Sequence, residues 1–404
     1  MTDLDLELLL RATSPGGSTC LTSITELVPA AGPQASVAPA KFALGNDRKG
    51  TYAYETRYLD GAPSPAVLID SKQSQLNRAE AGLMQAIADG HPLLSRLPRI
   101  AVSYDRDGAR EEYLDLNLPH RAFDGHIRAG SVNGTPVTQL DAYRAIRNAS
   151  PANARALLDA SPVSLVFGSW DSSRSTRQGR WRSALVGEIL GFCVDKTTAL
   201  KGGARTDPVG MRIELTGQAL TQLAERQKDE LSRSNYDKRI KEANAAKAGQ
   251  AISASPVGLG GIPPTLEALA GVACHRIIRS HVLSFAALRQ IRFGAGPDGD
   301  VACRALLAAL ALAGLARSDA ELVLRANCDL REAAPSQVCI DQRGGNHQDL
   351  VPLTITAADE LLAVALAHAE QMAGVTWDGV VLRVEGDPAI VAGAVDEDQV
   401  AGGN

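Results

Sequence analysis

The sequence predicts an α+β chain, and three observations predict it. Strand-like and helix-like segments alternate unevenly, without the regular beat of a doubly wound parallel sheet. Long polar or Gly/Pro-rich stretches interrupt them. The 404 residues are 45% apolar but only 4% aromatic, so the core must be built mainly from Ala, Leu, Val and Ile.

The elements follow in order. Residues 3–12 read as a short helix or a strand lead-in. CLTSITELV (20–28) alternates loosely, as a strand does, and PAAGP (29–33) breaks it. Residues 35–45 are small and loop-like. TYAYETRYL (51–59) alternates aromatic and polar residues, and DGAPSP (60–65) is a turn cluster. AVLID (66–70) reads as a buried strand, and Leu76, Ala79, Leu83, Met84 and Ile87 then fall on one helical face. RIAVSY (99–104) is a strand, 114–130 is irregular, and 138–148 is a short helix. SPVSLVFGSW (161–170) is expected as a strand that empties into an Arg/Ser-rich loop, with 183–195 as the next strand and 196–208 as loop.

Residues 217–250 form a charged, helix-favouring insertion, and 252–264 a Gly/Pro-rich loop. A long helix is expected over 265–291, another over 301–316, a strand over 321–330, a helix over 356–374 and a final strand over 380–386. Residues 391–404 read as a flexible acidic tail. The whole, 1–404, is expected to be one elaborated domain.

Composition narrows the function classes. None of the six Cys forms a CxxC pair or lies at zinc-ligand spacing from a His, so reduced thiols and no structural metal are expected. The first residues carry Asp3, Asp5 and Glu7, the wrong charge for a secretory signal. The longest apolar run, 305–316, is too short to cross a bilayer and reads as a buried helix. A cytoplasmic location, no membrane partner and no cofactor are the expectations. The net charge of −5 disfavours nucleic acid at first sight, but −8 of it sits in residues 351–404, leaving +3 on residues 1–350.

Two stretches are unusually rich in phosphate-type donors. SKQSQLNR (71–78) brings Lys72, Gln73, Ser74, Asn77 and Arg78 to a strand-to-helix junction. Capping explains two or three of these residues. An anion on the exposed N–H groups of the helix start would explain the rest. SWDSSRSTRQGRWRS (169–183) combines Arg174, Arg177, Arg180 and Arg182 with Ser169, Trp170 and one acid, Asp171. Arg and Ser suit phosphates, and an aromatic can stack on a base. The bland reading is a solvated loop.

KGGAR adds Lys201 and Arg205 around a Gly pair. PHRAFDGHI offers His120, Arg121, Asp124 and His126, as a hydrogen-bonded turn or a catalytic group, but with no nucleophile context. CHRIIRSH places Arg276 and Arg279 on one side of the expected helix, where they grip phosphate or snorkel.

TELVPAAGPQ (25–34), IDSKQSQLNRAE (69–80), PHRAFDG (119–125), LVFGSWDSSR with GRWRSALVGEI (165–189), HRIIRSHVLSFAALRQIRFG (275–294) and LRANCDL (324–330) occur in that order. Together they resemble the crRNA-binding backbone subunit, of the Cas-seven group, of type I-G (formerly I-U) CRISPR Cascade surveillance complexes. Lys72 and Ala79 depart from the expected small apolar residue and Leu. The resemblance implies an RRM-like (ferredoxin-like) antiparallel sheet with large insertions, including a thumb. It implies a non-catalytic protein that polymerises along guide RNA, holds its backbone and presents its bases to target DNA. Its partners would be crRNA, target DNA, further copies of itself and other Cascade subunits: a fused Cas-five/Cas-six type subunit and the large and small subunits. The acidic C-terminal segment would then pair with cations of a neighbouring copy, or simply solubilise the chain. The competing class is a phosphate-handling enzyme, a nuclease or phosphotransferase. A third is a protein-only scaffold.

Overall fold

The structure is a computed structural model that describes residues 2–44, 47–106, 108–174, 179–231, 233–247 and 250–394. The chain divides into two compact units. The larger comprises Met1–Thr197 and Val272–Val391, and the smaller is built on Thr198–Gly271.

In the larger unit, helix α1 (Leu6–Thr13) is capped by Asp5, whose carboxylate accepts from the Leu8 N–H at 2.8 Å. Strand β1 (Cys20–Pro29) buries Leu21, Ser23, Thr25 and Leu27 and turns Ile24 and Glu26 to solvent. Strands β2 (Tyr54–Leu59) and β3 (Ala62–Asp70) form a hairpin. Its turn needs positive φ at Asp60 (50°) and Gly61 (81°), which Asp-Gly supplies. Helix α2 (Lys72–Ala88) follows at once, with the Ser71 side chain accepting from the Ser74 N–H. Then come β4 (Arg99–Arg106), β5 (Ala109–Leu114), β6 (Leu185–Phe192), β7 (Arg276–Ser284), helix α3 (Gly296–Glu321), β8 (Leu330–Glu332), β9 (Gln337–Asp341), β10 (His347–Leu350), helix α4 (Ile355–Ala373) and β11 (Val380–Glu385).

The main sheet runs β10-β9-β1-β7-β6-β3-β2 with every pair antiparallel, and β8 pairs with the end of β1. Its centre, β9-β1-β7-β6, takes the chain in the order β1, α2, β6, β7, α3, β9. That is the βαββαβ path of a ferredoxin-like sheet, so the α+β expectation with an antiparallel sheet and insertions holds.

Helices α2 and α3 approach closely. A Cβ added at Gly82 would lie 2.8 Å from Arg317 Cβ, and one at Gly314 would lie 3.4 Å from Ala79 Cβ. Small residues are therefore required at this crossing. Helix α3 is long and apolar enough to cross a membrane, but 94% of that stretch is buried inside the protein. A smaller sheet in the same unit joins β5, β4 and β11, with β11 parallel to β4, and continues through the short pair Ser131–Val132 and Thr135–Pro136.

The smaller unit is inserted in the hairpin between β6 and β7. It contains a ribbon of Ala199–Arg205 with Ile262–Gly271, a short pair Glu214–Thr216 with Ala251–Ser253, and two helices, Gly217–Arg226 and Arg233–Ala245. The charged 217–250 segment is thus mainly two helices, with Leu220, Ala224 and Ala243 buried.

Four expectations are corrected. The expected 196–208 loop holds the strand Ala199–Arg205. The long helix over 265–291 does not exist. Ile262–Gly271 and Arg276–Ser284 are strands, and a single turn of helix follows at Phe285–Leu288. In β7 the inward positions are Ile277, Arg279, His281 and Leu283. Two polar residues on the buried face hide the period of two that marks a strand. Residues 161–170 are not one strand. Pro162–Val166 is a short buried helix with Pro in its first turn, and only Ser169–Trp170 is extended. The 321–330 strand is reduced to β8, because Leu322 (φ 41°) ends α3 in a left-handed turn and Asn327 (φ 61°) makes another. Residues 395–404 of the expected acidic tail lie outside the described residues.

Candidate nucleic-acid interface

The β3–α2 junction is organised around one buried acid. Asp70, fully buried at the end of β3, accepts from Gln75 Nε2 (2.6 Å), Ser74 Oγ (3.0 Å), Arg78 Nε (3.0 Å) and Arg325 Nη2 (2.6 Å). Burial would push its carboxyl up, but the hydrogen bonds from Arg78, Gln75 and Ser74 more than reverse this and hold it below the usual carboxylate range. Arg78 also donates to the Val323 carbonyl. Ser74 and Arg78 are therefore committed to the inside of the molecule. Lys72, Gln73 and Asn77 stay exposed on the first turns of α2.

A second buried acid ties the neighbouring loop to α2. Glu80 takes a two-point contact from Arg121, Nε to Oε1 at 2.5 Å and Nη2 to Oε2 at 2.6 Å. Burial raises the Glu80 carboxyl, and Arg121 pulls it back only in part. Arg121, at φ 48°, also donates to the Gly168 carbonyl at 2.6 Å, so one guanidinium joins α2, the 118–124 loop and the 167–168 turn. Asp124 accepts from the backbone N–H of His120 (3.0 Å) and of His126 (2.9 Å), and His126 Nδ1 sits 2.7 Å from Tyr104 Oη. The Asp/His grouping is a turn-forming network.

The Arg/Ser/Trp segment forms a short hairpin, Ser169–Trp170 against Arg180–Trp181. Ser169 is buried, with its Oγ donating to the Ser164 carbonyl at 3.3 Å. The acid of the stretch, Asp171, is buried and paired with Arg147 at 2.8 Å and, more distantly, Arg128 at 4.0 Å. Arg174 donates to the Arg147 carbonyl (2.9 Å) and to Asn148 Oδ1 (2.6 Å). Arg177 lies outside the described residues. The exposed tip is cationic and aromatic. The Arg180 guanidinium stacks 4.4 Å from the Trp170 ring, and His120 meets the same ring edge-on at 6.4 Å. Arg182 is exposed beside it.

These pieces enclose one cleft of about 620 Å³, lined among others by Lys72, Gln73, Asn77, Asn117, Arg121 and Ser183. A second cleft of about 630 Å³, lined by Arg147, Asn148, Arg174, Arg180 and Trp181, lies along the hairpin. Amides, hydroxyls, an ammonium and guanidinia thus border the two clefts, and the exposed Trp170 indole stands against Arg180 of the second. That set can hold phosphates by charge and donor, and bases by stacking.

The remaining candidates lie elsewhere. Arg205 is exposed in the ribbon of the smaller unit, and Lys201 belongs to the same strand. Arg276 pairs at the surface with Asp60 (3.4 Å) and Glu26 (3.6 Å). Arg279 is only 1% exposed and pairs with Glu332 (2.8 Å) and Asp319 (3.3 Å). Its place on a strand, and not a helix, turns it inward, away from any surface anion. Sequence reasoning did not single out Asn117, Arg147 or Asn148. They sit in segments without a motif and reach the grooves only through the tertiary fold.

Residues 21–196 match the model of a family described as CRISPR-associated protein GSU0053. The match supports a CRISPR-associated protein, and with it a role in CRISPR defence. It spans β1, the β3–α2 junction and the Trp170–Arg180 hairpin. No curated protein matches the chain.

Proposed function

We propose that this chain is a non-catalytic RNA-holding subunit. In this reading it polymerises along CRISPR guide RNA as the Cas-seven-group backbone of a type I-G Cascade, and presents guide bases to target DNA. The observation that carries the reading is the exposed set Lys72, Gln73 and Asn77 on the α2 cleft, with exposed Trp170, Arg180 and Arg182 and the half-buried His120 at the hairpin tip. The CRISPR-associated match covers that region. Buried Asp70 takes up Arg78, and Arg174 is bonded to the Arg147 carbonyl and Asn148, so Lys72, Arg180 and Arg182 are left to face a polyanion. The titratable groups near the cleft support holding more than chemistry, because Asp70, Glu80, Asp124 and Asp171 are each saturated by structural donors. Partners in this reading are crRNA, target DNA, further copies of the chain and the other Cascade subunits.

The test is to produce the chain with a CRISPR transcript and its partner subunits, read the 260/280 nm absorbance ratio, then size the product before and after RNase. The expected result is a nucleic-acid-rich particle that RNase breaks down. An RNA-free monomer indifferent to RNase would reject the reading and favour an enzyme or a protein scaffold.

A further inference from the structure

The edge of the main sheet carries a second cluster, unrelated to the grooves. In the β9–β10 register Cys339 stands directly opposite Asp349, and His347 precedes Asp349 by two residues. Alternation along strands then sends all three side chains to one face of the sheet. The flanking Ile340 and Leu350 are buried against the helices on the other face. Cys339 Sγ lies 3.3 Å from Asp349 Oδ1, and His347 Nε2 lies 3.6 Å from the same oxygen. The three donor atoms all fall within 4.8 Å of one another.

These spacings have a chemical meaning. A tetrahedral zinc ion with a sulfur at about 2.3 Å and nitrogen and oxygen at about 2.0–2.2 Å keeps neighbouring donors roughly 3.4–3.6 Å apart. The hairpin already holds two of its donor pairs near that separation, so an ion could enter with side-chain adjustment alone. We propose that Cys339, His347 and Asp349 bind one zinc ion, with water in the fourth position. The donor set of thiolate, imidazole and carboxylate suits this borderline-soft cation better than magnesium or calcium, which take oxygen. Binding replaces the Cys339 S–H proton, now donated to Asp349, with the metal–sulfur bond, and releases that proton to solvent. Asp341 shares the face, but its Oδ1 accepts the Cys20 N–H at 2.6 Å and is held by it. The ion would strap β9 to β10, the outermost strand on this side of the sheet, whose outer edge is covered only by a single bridge from Thr2 to Leu350 among the described residues. This inference does not depend on the RNA reading.

The test uses the untagged full chain, stripped with chelator and titrated with Co²⁺. We expect a thiolate-to-cobalt charge-transfer band that saturates at one ion per chain and is displaced by Zn²⁺. Cys339→Ser should abolish the band. His347→Ala should weaken binding about ten-fold or more, since removing even an outer partner of a metal ligand costs that much. Cys20→Ser should leave both unchanged, and melting curves in chelator should show all variants folded. No band in the wild-type chain, or a band that survives Cys339→Ser, overturns the proposal.

Discussion

At the scale of single residues, cations of the same motif have opposite jobs. Arg78 and Arg121 serve buried acids, while Lys72, Arg180 and Arg182 face solvent. Replacing the three exposed residues with Ala is expected to weaken guide-RNA binding and to leave the melting temperature within a degree or two. If each neutralises one phosphate, the log–log salt slope should shrink by about 2, at about 0.7 per contact on a single strand. Fluorescence anisotropy at several salt concentrations reads this, and an unchanged slope would remove these residues from the interface. Arg78→Ala should act on stability, because it strips a donor from a fully buried carboxylate, at a cost of about 1–3 kcal/mol.

Asp115 carries the pH dependence. Burial pushes its carboxyl up to about 7. An acid whose folded pKa is raised favours its protonated form in the folded state. The stability is therefore greatest below the unfolded value of about 3.9 and is lost as pH rises from there through about 7. Asp115→Asn should raise the melting temperature by more at pH 8 than at pH 5. Equal gains at both would show that Asp115 does not titrate in this window.

At the scale of elements, the strands and helices most readable in the sequence were those with a clean period. The 99–104 and 380–386 strands and the helices over 301–316 and 356–374 lie where periodicity puts them, give or take a turn. The β7 strand was illegible because Arg279 and His281 occupy inward positions. Each is accommodated only by partners far along the chain: Glu332 and Asp319 for the arginine, and Gln75 at 3.1 Å for the imidazole. Burial and the nearby Arg279 depress the His281 pKa to about 3, so the ring is neutral and behaves as a core residue. The SKQSQLNR stretch was legible as special but not as divided, since only the fold shows which donors Asp70 takes. The helix crossing gives the prediction at this scale. Gly82→Val would push methyls into Arg317 and its two-point contact with Asp359, 2.8 Å at each oxygen. A loss of about 1–3 kcal/mol is expected in chemical denaturation. A neutral result would mean that α2 and α3 can separate without cost.

At the scale of the whole molecule, the segment inserted between β6 and β7 begins and ends at paired points of the chain. Phe192 of β6 pairs directly with Arg276 of β7, and Ala199 pairs with Gly271 just beyond. The segment between therefore starts and finishes on paired strand ends. In engineering terms the position is a socket. Residues 198–271 should be excisable and replaceable by a short Gly-containing turn, because the flanking strands already present hairpin geometry. The trimmed protein is expected to keep cooperative unfolding with a smaller denaturant slope, in proportion to the surface removed. If it folds, the same socket accepts foreign inserts, and the body and the excursion can vary independently, so length changes between relatives of this chain should concentrate there.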